Sequence, residues 1–149
     1  MKIALVCSSG GHLAQLWRLR AWFEPEERFW VTFDTRDAVS LLGDERVIWA
    51  FYPTTRNVKN TLRNLWLSWK TIRTERPDVI VSDGAGVAFP FFVVAKLHRV
   101  KTVYLEVYDR IDSRTLTGRL CYPITDLFCV QWEEQRALYP RAELIGTLL

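Results

Sequence analysis

Three short segments, Ile3-Ala4-Leu5-Val6, Val79-Ile80-Val81 and Leu127-Phe128-Cys129-Val130, are apolar at every position rather than at alternate ones. A strand with one wet face alternates. A strand apolar throughout is covered on both faces, as in a parallel sheet between two helical layers. Similar runs recur along the chain, and the pattern predicts strands at Lys2–Cys7, Arg28–Phe33, Val47–Tyr52, Asp78–Ser82, Thr102–Val107, Asp126–Gln131 and Glu143–Ile145. Between them lie helical patterns at His12–Trp22, Thr35–Leu42, Asn57–Glu75, Gly86–Leu97, Thr115–Cys121 and Glu133–Leu138. Strand–helix alternation at this spacing predicts an α/β fold with a doubly wound parallel sheet. No repeat, low-complexity tract or linker interrupts it, so residues 1–149 are expected to form one domain.

The chain has 149 residues, 49% hydrophobic and 25% charged, enough to build a core without covalent staples. Cys7, Cys121 and Cys129 are odd in number and lack metal-ligand spacing, so they are expected to be reduced core thiols; neither a metal nor a cofactor is predicted. The longest dense apolar run, Val87 to Ala95, is too short to span a bilayer. The first apolar run stops at a glycine turn, unlike a signal peptide, so the protein is expected to remain cytoplasmic. Net charge is +3, unevenly spread: Arg56 to Arg76 carries six basic residues and one acid, or +5, leaving −2 for the rest. With seven tryptophans in the chain, this local basic field points to a polyanionic surface or ligand. No RNA- or DNA-binding motif accompanies it, so no nucleic-acid partner is predicted.

In sheets of this type ligands bind beyond the carboxyl ends of the strands. Ser8-Ser9-Gly10-Gly11-His12 follows the first strand and Ser82-Asp83-Gly84-Ala85-Gly86 follows the fourth, and each opens a helix. Glycine turns bring backbone N–H groups close to a ligand, and two helix amino termini could hold one phosphate-type group between them. His12 suits a general base or a hydrogen-bond donor to a diphosphate, and helix capping is its plain alternative. Glu106, at the end of the fifth strand, is predicted to face the same crevice, orienting a sugar hydroxyl or fixing the tautomer of His12. Asp109 and Asp112 read as solvated loop acids. A nucleotide-binding reading is weak: the first loop lacks the full G-x-G-x-x-G spacing, and Asp34 is the one acid placed to hold a ribose.

Within Asn57–Glu75, the residues Val58, Leu62, Leu65, Trp69 and Ile72 recur at helical spacing and predict an apolar stripe against the sheet. Arg63, Trp66, Leu67 and Lys70 lie outside that stripe and form a candidate contact with an anionic membrane surface. A solvated basic face with a stray tryptophan is the alternative.

A further set of segments spans the chain: Ser9-Gly10-Gly11-His12-Leu13, Phe33 to Asp37, Val81 to Gly86, Tyr104 to Val107, Asp112 to Arg119, Tyr122-Pro123, Val130 to Glu134, Tyr139-Pro140 and Gly146-Thr147. Together they resemble the accessory subunit of the bipartite UDP-GlcNAc transferase of asparagine-linked glycosylation and its bacterial capsule and exopolysaccharide counterparts of the PssD and CpsF type. More distantly, the chain is similar to the amino-terminal half of the MurG-type peptidoglycan transferase. The resemblance implies a Rossmann-like domain equivalent to the amino-terminal half of a GT-B glycosyltransferase. It implies an acceptor-side subunit for a polyprenyl-diphosphate-linked saccharide, with the UDP-sugar held by a separate partner equivalent to the GT-B carboxyl-terminal half. The chain stops at Gly146 to Leu149, about where the interdomain linker of a single-chain relative would begin. By analogy Ser9, Gly10, Gly11, His12, Gly84, Ala85 and Gly86 line the acceptor-diphosphate crevice with Glu106 beside it. The amino-terminal membrane helix of the eukaryotic subunits has no counterpart here, so attachment to the cytoplasmic face of the membrane is expected to be peripheral. Two rival readings remain: a directly catalytic subunit supplying His12 as base, and a scaffold that binds no acceptor and recruits the catalytic partner.

Overall fold

The computed structural model describes residues 1–148. Its sheet has seven strands, all parallel, in the order β3-β2-β1-β4-β5-β6-β7. The strands are β1 (Lys2–Val6), β2 (Glu27–Phe33), β3 (Val47–Ala50), β4 (Val79–Ser82), β5 (Lys101–Leu105), β6 (Leu127–Val130) and β7 (Glu143–Leu144). The helices are α1 (Gly11–Trp17), α2 (Arg20–Phe23), α3 (Arg36–Leu42), α4 (Val58–Glu75), α5 (Ala88–His98), α6 (Leu116–Cys121) and α7 (Glu133–Leu138). Strand order turns back at β1: β2 and β3 build to one side, and β4 starts the other. Such a switch point opens a crevice at the carboxyl ends of the two strands flanking it, here β1 and β4.

Both faces of the sheet are covered, as the continuous apolar strands require. Along β1, Ile3 and Leu5 point into one core with Leu13, Leu16, Phe23, Trp30 and Leu42 from the α1–α3 side. Ala4 and Val6 point into the other with Phe29, Val31, Phe91, Phe92 and Val94 from the α5 side. Cys7, Cys121 and Cys129 are free and buried.

Two expectations about the helices are overturned. The helix predicted from His12 to Trp22 breaks at Arg18-Leu19. There the Arg18 N–H is shared between the carbonyls of Ala14 and Gln15, and the Leu19 N–H bonds back to Leu16, tightening the turn. The break lets both Leu16 and Phe23 reach the core.

The second correction concerns α4. The stripe predicted to face the sheet is mostly outside: Val58 is 74% exposed, Leu62 61%, Leu65 37% and Trp69 42%, and within it Ile72 alone is buried. The inward face is polar, formed by Asn60, Asn64, Ser68 and Thr71. Those side chains hold backbone. Asn64 accepts from the Phe51 N–H through Oδ1 and donates through Nδ2 to the Phe51 carbonyl, both at 2.9 Å. Asn60 donates to the Pro53 carbonyl at 2.9 Å, and Ser68 Oγ donates to the Leu65 carbonyl at 2.7 Å beside that of Pro90. Buried peptide groups beyond the end of β3 need partners, and an asparagine supplies donor and acceptor together. Periodicity finds the helix but not which face is wet.

Candidate functional site

The loops after β1 and β4 meet at the switch point. Asp83, fully buried, lies with Oδ2 3.3 Å from His12 Nδ1. The same Oδ2 accepts from Gln15 Nε2 at 3.3 Å, while among the described residues neither Asp83 Oδ1 nor His12 Nδ1 makes a hydrogen bond, so the His12–Asp83 contact is one of charge. Burial pushes the Asp83 carboxyl up to about 6 against the opposing pull of His12. For His12, burial lowers the pKa, but the pull of the Asp83 carboxylate, helped by Asp109, outweighs it, and the pKa is raised from 6.5. With Nδ1 buried against Asp83, Nε2 is the nitrogen left for a ligand.

Next to this pair, a crevice of about 620 Å³ is lined by Ser8, Ser9, His12, Phe33, Thr54, Arg56, Ala85 and Gly86, among others. Of the predicted site residues, Ser9, His12, Ala85 and Gly86 line it directly. Gly84 is buried beneath: at φ +111° its backbone is closed to side chains, and an added Cβ would sit 2.7 Å from Tyr104 Oη. Gly10 and Gly11 are exposed at the mouth of α1. Two of the expected free amides are occupied: the Gly10 N–H donates to Asp37 Oδ2 at 2.7 Å and the Gly84 N–H to Ser82 Oγ at 3.1 Å. Asp37, held below its usual range by its bonds to Thr35 and Gly10, thus anchors the first loop. The loop after β3, Tyr52 to Arg56, also lines the crevice, with Thr54 packed against Gly86; of this loop the sequence pattern marks Arg56 alone, as the start of the basic run. Arg56 brings a cation to the crevice. It and Ala85 hold positive φ (51° and 62°), a costly conformation for residues with a Cβ that tends to occur at functional sites.

Glu106 is placed differently from the expectation. It lies one residue beyond β5, fully buried, and takes no part in lining the crevice. Its carboxylate accepts from the Val107 N–H, Thr115 Oγ1 and Tyr139 Oη. Burial raises its pKa even so. Gly118 is packed so closely on this cluster that an added Cβ would lie 2.6 Å from Tyr139 Oη and 2.7 Å from Thr115 Oγ1. Glu106 thus fixes the start of α6; Asp83, not Glu106, is the carboxylate beside His12. A second cavity, of about 210 Å³, lies behind His12 and is lined by Asp83, Tyr104 and Arg110, among others.

Buried glutamines tie these loops together. Gln131 Nε2 donates to Gln15 Oε1 at 3.1 Å and to the Glu106 carbonyl at 3.0 Å. Gln135 Oε1 accepts from the Gln131 and Trp132 N–H groups, while its Nε2 reaches the Val107 and Arg110 carbonyls. The segment Val130 to Gln135 therefore holds the floor of the site without touching the crevice.

Of the four candidate membrane-contact residues, Arg63, Trp66 and Lys70 are exposed, Trp66 by 62%. Leu67 is not: it is half-buried against the core, because it falls on the inward flank of α4.

Residues 50–148 match the family model described as oligosaccharide biosynthesis protein Alg14 like. The chain belongs to this family. It is 25% identical to the human UDP-N-acetylglucosamine transferase subunit ALG14 over all of this chain and 83% of that protein. It is 27% identical to the Debaryomyces hansenii subunit over 99% of the chain and 76% of the relative. Among solved structures, Acinetobacter baumannii MurG superposes with a TM-score of 0.72 at 14% identity, over 89% of this chain and 42% of that one. The Neisseria meningitidis UDP-GlcNAc 2-epimerase bound to UDP-GlcNAc gives 0.79 at 11%, over 99% and 46%. The chain thus spans less than half the length of these solved neighbours, and at this identity the likeness is one of fold: the Rossmann-like half of a GT-B-type architecture.

Proposed function

We propose that this family member is the acceptor-binding subunit of a two-component glycosyltransferase. In that role it presents a polyprenyl-diphosphate-linked saccharide, in capsule or exopolysaccharide assembly, to a UDP-sugar held by a separate chain. The observation that carries this reading is the crevice at the β1/β4 switch point, lined by residues of both glycine loops together with His12 and Arg56. Arg56 supplies charge for a diphosphate, and Ser8, Ser9 and Thr54 supply hydroxyls for sugar or phosphate oxygens. The relatives named as UDP-N-acetylglucosamine transferase subunits support a second chain and GlcNAc as the transferred sugar. Titrating the chain with a short polyprenyl-diphosphate saccharide tests it: the wild type binds, and Arg56→Ala weakens binding by about tenfold, the loss of one charge-assisted contact. A wild type that binds nothing would leave the scaffold reading.

A second reading, in which this chain also supplies the general base, is favoured by the Asp83 carboxylate beside His12. Nε2 would take the proton of the acceptor hydroxyl as its oxygen bonds the donor's anomeric carbon and the UDP leaves. Asp83 would stabilise the imidazolium so formed. In the reconstituted pair, His12→Ala should then lower turnover by a hundredfold or so; near-normal turnover would remove His12 from the chemistry.

No helix among the described residues is long and apolar enough to cross a membrane. The outward face of α4 supports a peripheral contact with a membrane surface, which we place on the cytoplasmic side: Val58, Leu62, Leu65, Trp66 and Trp69 are exposed beside Arg63 and Lys70. Lys70 sits 5.6 Å over the Trp66 ring and Arg63 3.9 Å over Phe51, keeping cations at the rim of the apolar strip. Trp66→Ala with Lys70→Glu should reduce sedimentation with anionic liposomes, and unchanged sedimentation would shift the contact to another surface.

A further inference from the structure

The four non-glycine residues with positive φ among the described residues divide evenly between two places. Arg56 and Ala85 line the crevice. Arg76 (φ 49°) and Arg99 (φ 58°) end α4 and α5 at the opposite pole of the sheet. Helix ends of this left-handed kind favour glycine, which has no Cβ to strain; here both carry arginine. The two arginines line adjoining cavities of about 280 and 290 Å³ that share Val100, and Arg73 and Lys96 complete their basic walls.

The charge there is poorly compensated. Asp126, the one carboxylate among the lining residues, pairs with Lys101 at 3.6 Å. Nearby Glu75 is taken by Lys2 and Arg46. Arg73, Arg76, Lys96 and Arg99 make no salt bridge among the described residues. The carbonyl ends of two helices offset about one unit of that positive charge, leaving roughly three. His98 lines the cavity of Arg73 and Arg76, and its Nε2, buried at the edge of that cavity, has no hydrogen-bond partner among the described residues. The cavity also adjoins the outward strip of α4: the Trp69 ring meets His98 edge-on at 4.7 Å, and Leu97 beside it is 69% exposed.

The geometry points to a phosphate-binding subsite for the headgroup of an anionic phospholipid, formed by Arg73, Arg76, His98 and Arg99 at the foot of α4. It rests on the reading that α4 lies on a membrane, and deepens it. An 18-residue helix is about 27 Å long, so the two ends of one surface contact would be a headgroup site at its carboxyl end and the acceptor crevice at its amino end. The headgroup site would then set the orientation in which the crevice meets the bilayer.

The decisive variant is Arg76→Gly with Arg99→Gly, which removes two charges while relieving two strained residues, so its melting temperature should not fall. Vesicles of phosphatidylcholine mixed with phosphatidylglycerol should bind the wild type. They should bind the variant about thirtyfold more weakly, the loss expected of two cations at an anionic surface. Arg119→Gln with Arg136→Gln, which removes as much charge elsewhere, should change affinity far less. The imidazole resonance of His98 should move on adding short-chain phosphatidylglycerol to the wild type and stay still in the glycine variant. Four results overturn the subsite: glycine and control variants losing affinity equally, a glycine variant binding as the wild type does, a His98 signal indifferent to lipid, or inorganic phosphate without vesicles moving that signal as effectively as lipid does. A wild type that ignores mixed vesicles altogether overturns the membrane reading, and the subsite with it.

Discussion

His12 Nδ1 and Asp83 Oδ2 face each other at 3.3 Å across the seam between the two glycine loops, so one imidazole and one buried carboxylate join the ends of β1 and β4. Among the described residues neither group makes another charge pair. Their protonation states are therefore set chiefly by burial and by each other.

Replacing Asp83 by asparagine leaves the shape and removes the charge. Burial, the largest influence on His12, is then opposed only by the weaker pull of Asp109, and the His12 pKa should fall from above 6.5 to below it. The chain has two histidines, so an NMR titration of the imidazole resonances reads this directly. An unchanged His12 titration would mean that Asp83 does not control it.

The same pair gives stability a definite slope with pH. Asp83 is raised from 3.8 to about 6 on folding, so its contribution is present at low pH and is lost as pH rises through that interval. His12 is also raised, so its contribution is lost as pH rises above 6.5 and through its folded value. Both act in one direction. The Asp83 shift alone is worth about 3 kcal/mol. The Tm gap between Asp83→Asn and wild type should widen in favour of the mutant from pH 5 to pH 8, and a constant gap would contradict it.

Asn64 should be hard to replace. Asn64→Leu fits the helix and is apolar, yet it leaves the Phe51 N–H and carbonyl without their partners. The expected cost is about 2–4 kcal/mol in urea unfolding. A neutral result would mean that water replaces the amide there.

Gly118→Ala should destabilise by about 1–3 kcal/mol, because its methyl group would enter the space held by Tyr139 Oη, Thr115 Oγ1 and the Glu106 carboxylate. Circular-dichroism melting checks it. If the crevice is independent of this cluster, ligand affinity of the folded fraction should stay near wild type.

Where the sequence was most readable, its residues answered to one dominant force. The strands β1, β4 and β6 are apolar on both faces, and their consecutive hydrophobic residues betray the parallel sheet directly. The glycine loops were visible because close approach and positive φ demand glycine. Asp83 was harder: a carboxylate between two loops reads as a turn residue until the fold brings His12, 71 positions away, beside it. Glu106 misled for the opposite reason, since a strand-end acid is indistinguishable from a crevice acid until Thr115 and Tyr139 close over it. The orientation of α4 was also hidden, because its burial follows directed hydrogen bonds rather than hydrophobicity.

That last arrangement separates two tasks that a helix ordinarily combines. Because Asn60, Asn64 and Ser68 fasten α4 from within, little of its grip depends on the oiliness of its outer side. Evolution, or an engineer, can make that outer side greasier, more charged or blander one residue at a time, adjusting adhesion like a dial while the fold beneath keeps its setting.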